Sequence, residues 1–238
     1  MHKIIIVGAT TGIGRAMANY WVNKGHAVGI TGRTAVALQS YAQQHAGKPV
    51  FTRCWDAAAP DSLSQLQILI DQMGGVDIWV YCAGGGDVTP RLDPRQELDM
   101  FGANASGFVA LAPYMYNYFV QQGHGHLAVI SSVAANRGLQ AAPVYSASKA
   151  FVSNYAEALW IRARKLKHPV KITDIQPGFV DSRQNHKPHF WWVPLPKAAT
   201  QIAQAIEQGK KRAYISRRWA LAAWLMRQLP AGVLSKIT

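Results

Sequence analysis

Apolar residues along the chain fall into two kinds of segment. Short unbroken runs, bounded by Gly, Pro or polar clusters, occupy 3–7, 27–31, 50–54, 76–81, 127–131, 170–175 and 213–215. Their length and β-branched content predict strands buried on both faces. Between them lie longer stretches whose apolar positions recur with helical period: 14–23, 35–45, 61–73, 96–121, 146–166 and 197–208. Regular alternation of strand and helix predicts βαβ units, a parallel sheet and helices packed on both of its faces. Right-handed crossovers turn this into a doubly wound, Rossmann-type α/β sheet of three layers, αβα. No repeat, low-complexity tract or linker divides the chain. One domain over 1–238 is expected, with 183–238 serving as substrate lid and basic C-terminal helix.

Composition agrees with this. A chain of 238 residues, 49% hydrophobic, can bury a large core. Two cysteines, Cys54 and Cys82, make no disulfide scaffold, and both read as buried thiols. The N-terminal apolar run is too short for a signal peptide, and no stretch is long enough to span a bilayer, so a cytoplasmic protein is expected. The net charge of +13 is uneven. Residues 1–157 carry 10 Lys/Arg against 9 Asp/Glu, whereas 158–238 carry 15 against 3. A basic C-terminal third suggests an anionic partner: a membrane surface, a nucleic acid or an acidic substrate.

The first strand runs into Gly8-Ala9-Thr10-Thr11-Gly12-Ile13-Gly14 and then a helix. A strand, a glycine turn and a helix N-terminus make a phosphate site. Gly8 permits the sharp turn, Gly12 close approach of a pyrophosphate and Gly14 close helix–strand packing. Helix N–H groups add a partial positive charge. Gly8, Thr10, Thr11, Gly12, Ile13 and Gly14 are therefore candidate cofactor contacts. The second strand ends Thr31-Gly32-Arg33, with glycine where an NAD-selective site carries an acid. A missing carboxylate together with Arg33 favours NADP(H) over NAD(H).

Tyr145 and Lys149 are spaced i, i+4 at the start of a helix, one turn apart on one face. An ammonium near a phenol favours the phenolate, so Lys149 is expected to lower the Tyr145 pKa toward neutrality. Thirteen residues upstream, Ser132 ends a strand and offers a hydroxyl to a substrate oxygen. Asn104, inside the long helix at 96–121, offers an amide that could hold water and link Lys149 to a proton path.

In order and spacing, Asn104, Ser132, Tyr145 and Lys149 resemble the catalytic tetrad of the short-chain dehydrogenase/reductase family, and the G-x-x-x-G-x-G turn resembles its cofactor motif. The resemblance covers roughly residues 3–182. It implies an adenine contact at Asp56 and cofactor contacts at Ala83 and Gly84, where Cys82 stands in place of the family's Asn. It also implies a nicotinamide frame from Pro177, Gly178, Val180 and Ser182, a nicotinamide-ribose contact from Lys149, and cofactor contacts from Asn104 and Tyr145. The activity implied is hydride transfer between nicotinamide and a carbonyl or alcohol, with a homodimer through the long helices.

Beyond Ser182 the resemblance ends. His186-Lys187-Pro188-His189-Phe190-Trp191-Trp192 reads as a lid, and its aromatics suggest an apolar substrate. Neither Cys nor an acid cluster accompanies the two histidines, so no metal is expected. Arg217-Arg218-Trp219 and the run to Pro230 form a basic, apolar tail that fits peripheral membrane contact. Nucleic acid is disfavoured because no recognition motif accompanies the charge. A non-catalytic NADP(H) sensor and a surface binder with a vestigial pocket remain the alternatives to an enzyme.

Overall fold

The computed structural model describes residues 1–86, 91–167, 170–181 and 191–234. Seven parallel strands form one sheet in the order β3-β2-β1-β4-β5-β6-β9. They are β1 Lys3–Val7, β2 Ala27–Gly32, β3 Val50–Cys54, β4 Ile78–Tyr81, β5 His126–Ile130, β6 Lys171–Pro177 and β9 Arg212–Ile215. The short strands β7 Val180–Asp181 and β8 Val193–Pro194 pair outside the sheet, Val180 opposite Val193. Strand order reverses at β1, which pairs with β2 on one side and β4 on the other. That switch point opens a crevice beyond the carboxyl ends of the strands.

Alternation along each strand builds a core on each face of the sheet. Ile5, Val7, Trp79, Tyr81, Leu127 and Val129 face one core. It is closed by α3 Ser62–Met73, α5 Gly107–Gln122 and α6 Pro143–Ala163. Ile4, Ile6, Val28, Ile30, Val80 and Ile130 face the other, closed by α1 Gly12–Asn23, α2 Ala35–Gln44 and α7 Leu195–Glu207. Helices α1 and α7, far apart in sequence, are joined where Trp21 Nε1 donates to Glu207 at 3.1 Å and Lys24 pairs with the same carboxylate at 3.2 Å.

The long helix predicted at 96–121 is three pieces. Helix α4 spans Pro94–Phe101, a π-helical turn spans Gly102–Ser106, and α5 follows. Helix α4 starts earlier than predicted because Pro94 suits its first turn and Asp93 caps it, accepting from Arg95 N. The π turn cannot be read from apolar period, because one extra residue per turn shifts the periodicity only locally. Helix α6 also begins earlier, at Pro143. The basic tail forms α8 Arg218–Gln228 and the short α9 Ala231–Leu234. Cys54 is exposed on edge strand β3 rather than buried, and both cysteines are free.

Candidate active site

The turn between β1 and α1 closes tightly. Gly8 (φ +84°) and Gly12 (φ +56°) adopt conformations open to glycine. A Cβ at Gly8 would lie 2.4 Å from Ala83 Cα, and one at Gly14 would lie 2.3 Å from the Gly8 carbonyl oxygen. No side chain caps the N-terminus of α1, and no acid lies in its first turn. Its first N–H groups therefore remain available to an anion.

Next to this turn is a cleft of about 410 Å³. Gly8, Thr10, Thr11, Arg33, Asp56, Ala83 and Gly84 all line it, as do Trp55, Gln96, Asp99 and Met100, which sequence reasoning did not single out. At Gly32 a side chain would meet the Thr10 methyl at 2.6 Å. Local packing thus disfavours an acid there as well as the sequence lacking one. The Arg33 guanidinium is exposed and lies 3.8 Å from Asp56. Asp56 is held by a hydrogen bond from Ala58 N at 2.9 Å.

Residues of the expected tetrad converge beyond the Gly84–Gly86 segment. Ser132 follows β5 and caps a 3₁₀ turn, Val133–Asn136, accepting from Ala134 N at 3.1 Å. Tyr145 and Lys149 project from the first turns of α6, and Lys149 Nζ lies 5.9 Å from the Tyr145 ring centroid. A Cβ at Gly86 would lie 2.8 Å from the Tyr145 ring, and one at Gly84 would lie 3.5 Å from Lys149 Nζ. The glycine segment therefore lies directly against both groups while Gly84 also faces the cleft.

One expectation is corrected. Lys149 was expected to lower the Tyr145 pKa. Instead, burial raises Tyr145 above the usual tyrosine value, only partly offset by a hydrogen bond with Ser132. The Lys149 ammonium is itself buried and donates to the Ile130 carbonyl at 2.9 Å. Burial lowers its pKa to about 8, against the smaller opposing charges of Cys82 and Asp174. Asn104 Oδ1 accepts from Gly85 N at 3.0 Å, and Nδ2 donates to Gly85 O at 3.1 Å and Ser148 Oγ at 3.0 Å. The π turn aims Asn104, fully buried, at the glycine segment. The Cys82 thiol sits nearby, its pKa raised to about 11 by burial.

Behind Ser132 lies a buried polar network. Asp174 on β6 accepts from Ser131 Oγ, Ser153 Oγ at 2.7 Å, Gln176 Nε2 at 2.8 Å and Arg212 Nε at 3.1 Å. It ties β5, β6, α6 and β9 together. A lone Asp in the strand 170–175 was the available signal, because a charge in a strand buried on both faces needs partners.

Pro177 ends β6, and Gly178 lies directly beneath Trp219 of α8, where a Cβ would meet the indole at 2.1 Å. Phe179 and Trp191 pack on Trp219 at 5.4 and 5.5 Å between ring centroids. Ser182, His186, His189 and the first part of the expected lid lie outside the described residues. Among the described residues no cluster of three His, Cys, Asp or Glu forms a metal site, and no helix is long and apolar enough to cross a membrane.

A model of the short chain dehydrogenase family matches residues 2–189. An uncharacterized oxidoreductase of Myxococcus xanthus is 32% identical over 226 residues, covering 92% of this chain and 88% of that protein. Dehydrogenase/reductase SDR family member 7B of Bos taurus is 29% identical over 193 residues, covering 74% of this chain and 57% of that one. Among solved structures, a short chain dehydrogenase/reductase from Burkholderia phymatum in complex with NAD superposes with a TM-score of 0.82 at 18% identity. The match covers 94% of this chain and 92% of that one, and shows a shared fold. An actinorhodin polyketide ketoreductase variant with NADPH superposes with a TM-score of 0.69 at 24% identity, covering 94% and 90%, again a likeness of fold. The chain belongs to the short-chain dehydrogenase/reductase family of oxidoreductases, whose fold binds a nicotinamide cofactor.

Proposed function

We propose that the chain reduces a carbonyl, or oxidises the matching alcohol, with NADP(H). The observation that carries this reading is the convergence of Asn104, Tyr145 and Lys149 on the glycine segment that lines the cleft, with Ser132 hydrogen-bonded to Tyr145. The residues fit a dinucleotide: Gly8, Thr10, Thr11, Gly12, Ile13 and Gly14 would hold its pyrophosphate, Asp56 its adenine, and Ala83, Gly84, Pro177, Gly178, Val180 and Ser182 would frame its nicotinamide end. When bound, the cofactor supplies or accepts the hydride.

The chain's own groups handle the oxygen and the proton. Ser132 and Tyr145 donate hydrogen bonds to the carbonyl oxygen and fix its position. A Tyr145 pKa raised by burial keeps the phenol protonated at neutral pH, as a proton donor requires. Lys149, charged below about pH 8, stabilises the phenolate left behind and would hold the cofactor's ribose when the cofactor is bound. Asn104 acts as a positioning residue, holding Gly85 in register with Tyr145.

Preference for NADP(H) rests on Arg33 and on the glycine at 32. An apolar substrate is favoured by Phe179 and Trp191, 59% and 44% exposed beside Trp219. Exposed Val109, Val120, Phe151 and Ile161 on α5 and α6 favour a homodimer through those helices.

Titration with NADPH and NADH, followed by fluorescence, tests the cofactor. NADPH should bind the more tightly, and Arg33→Ser should weaken NADPH by about tenfold or more while sparing NADH. Equal loss for both would remove Arg33 as the selector. Tyr145→Phe should cut turnover by at least about a hundredfold and leave cofactor affinity intact. Retained turnover would reject the assigned proton donor, and intact binding without any turnover in the parent protein would favour a sensor.

A further inference from the structure

Helix α8 is apolar on two faces. Trp219 and Ala223 are buried against the protein, Trp219 on Gly178. Leu221, Trp224 and Leu225 lie on the opposite side and are 63%, 56% and 46% exposed. A surface helix that buries one apolar stripe normally turns polar residues outward, so the second stripe calls for a second apolar phase.

Charge identifies that phase. Residues 208–238 contain seven Lys/Arg and no Asp/Glu. Lys211 and Arg212 are matched by Glu157 and Asp174, and Arg227 also acts on Glu157. Arg218 donates to the Trp192 carbonyl at 3.4 Å and lies over the Trp191 ring, and Arg217 stands at the start of α8. Arg217 and Arg218 stand at its N-terminal end with no acid in the first turn. Cations there oppose the helix dipole, an arrangement that costs local stability and that an external anion would relieve.

We propose that α8 docks on an anionic lipid surface, with Leu221, Trp224 and Leu225 entering the headgroup boundary and the flanking arginines pairing with lipid phosphates or carboxylates. A second copy of the chain fits less well, because its own arginines would meet these across a symmetric contact. A nucleic acid would leave the leucine and tryptophan face uncovered. The anchor is part of the folded body: Arg137, just after the 3₁₀ turn that follows Ser132, donates to the Leu229 carbonyl at 2.7 Å where α8 ends.

The test is co-sedimentation of the full chain with vesicles of phosphatidylcholine alone and with about 30 mol% phosphatidylserine, at low and high salt. Binding to the anionic vesicles should exceed binding to the neutral ones by about tenfold or more and should weaken with salt. Trp224→Glu and, separately, Arg217→Gln with Arg227→Gln should each abolish most of it, with nicotinamide-cofactor affinity unchanged in both. That readout separates this inference from the assignment of catalysis. Wild-type binding by Trp224→Glu, equal binding to both vesicle types, or none to either would overturn the proposal. A dimer that Trp224→Glu breaks, without lipid affinity in the parent, would assign the stripe to a second copy.

Discussion

Lys149 carries the sharpest conflict between stability and use. Its ammonium is buried, and its pKa falls from the ordinary lysine value to about 8. Below about pH 8 the folded protein bears the cost of a buried charge. As pH rises from there toward the unfolded-state value, the unfolded chain holds more protons than the native one, so this group's penalty fades and stability increases. Lys149→Met should therefore raise the midpoint of thermal unfolding at pH 7, by about 1–3 kcal/mol of stability, while abolishing turnover. A lower midpoint would mean that the hydrogen bond to Ile130 outweighs burial. In the wild-type enzyme, carbonyl reduction should decline as pH rises through about 8, because Tyr145 remains protonated there and Lys149 does not. The sequence placed Tyr145 and Lys149 on one helix face correctly. It assigned the wrong sign to the tyrosine shift, because i, i+4 spacing states proximity and says nothing of burial.

Between elements, the site is held by two buried clamps. Asn104, delivered by the π turn between α4 and α5, grips Gly85 and Ser148. Asp174 gathers donors from β5, α6, β6 and β9 directly behind Ser132. Removing one partner from such a network strands the rest. Asp174→Ala should cost about 3–5 kcal/mol in denaturant unfolding, by stranding the donors of Ser131, Ser153 and Gln176 and leaving Arg212 only its 4.0 Å ion pair with Glu157. A loss under about 1 kcal/mol would show the network to be solvated. Strands and helices were legible from period and punctuation, and β1 and β3 fell where predicted. The π turn and the partners of Asp174 were not, since the first is a local irregularity and the second joins residues up to 43 positions apart.

Across the whole molecule, two cores share one sheet. Ile4 and Ile6 enter one core and Ile5 and Val7 the other, so neither can form without the strands of its neighbour. A single unfolding transition is expected, with far-ultraviolet circular dichroism and tryptophan fluorescence changing together. Separate transitions would divide the chain into two folding units. Among the described residues, Lys171 on β6, Arg212 on β9 and Arg217, Arg218 and Arg227 on or beside α8 place cations at the sheet edge opposite β3.

By itself the sequence determined the alternating α/β layout, the glycine turn, the absence of an acid at 32 and the identities of the groups that could carry hydride chemistry. Each is a local property, written in short spacings and in backbone freedom that only glycine supplies. Tertiary structure alone decided which groups are dehydrated and what they bond. It buried Lys149, half-buried Tyr145, turned the Asn104 amide onto Gly85, placed the four donors on Asp174 and left the Trp224 face of α8 outside. Desolvation and long-range pairing depend on what the rest of the chain packs around a residue, and no window of sequence contains that information.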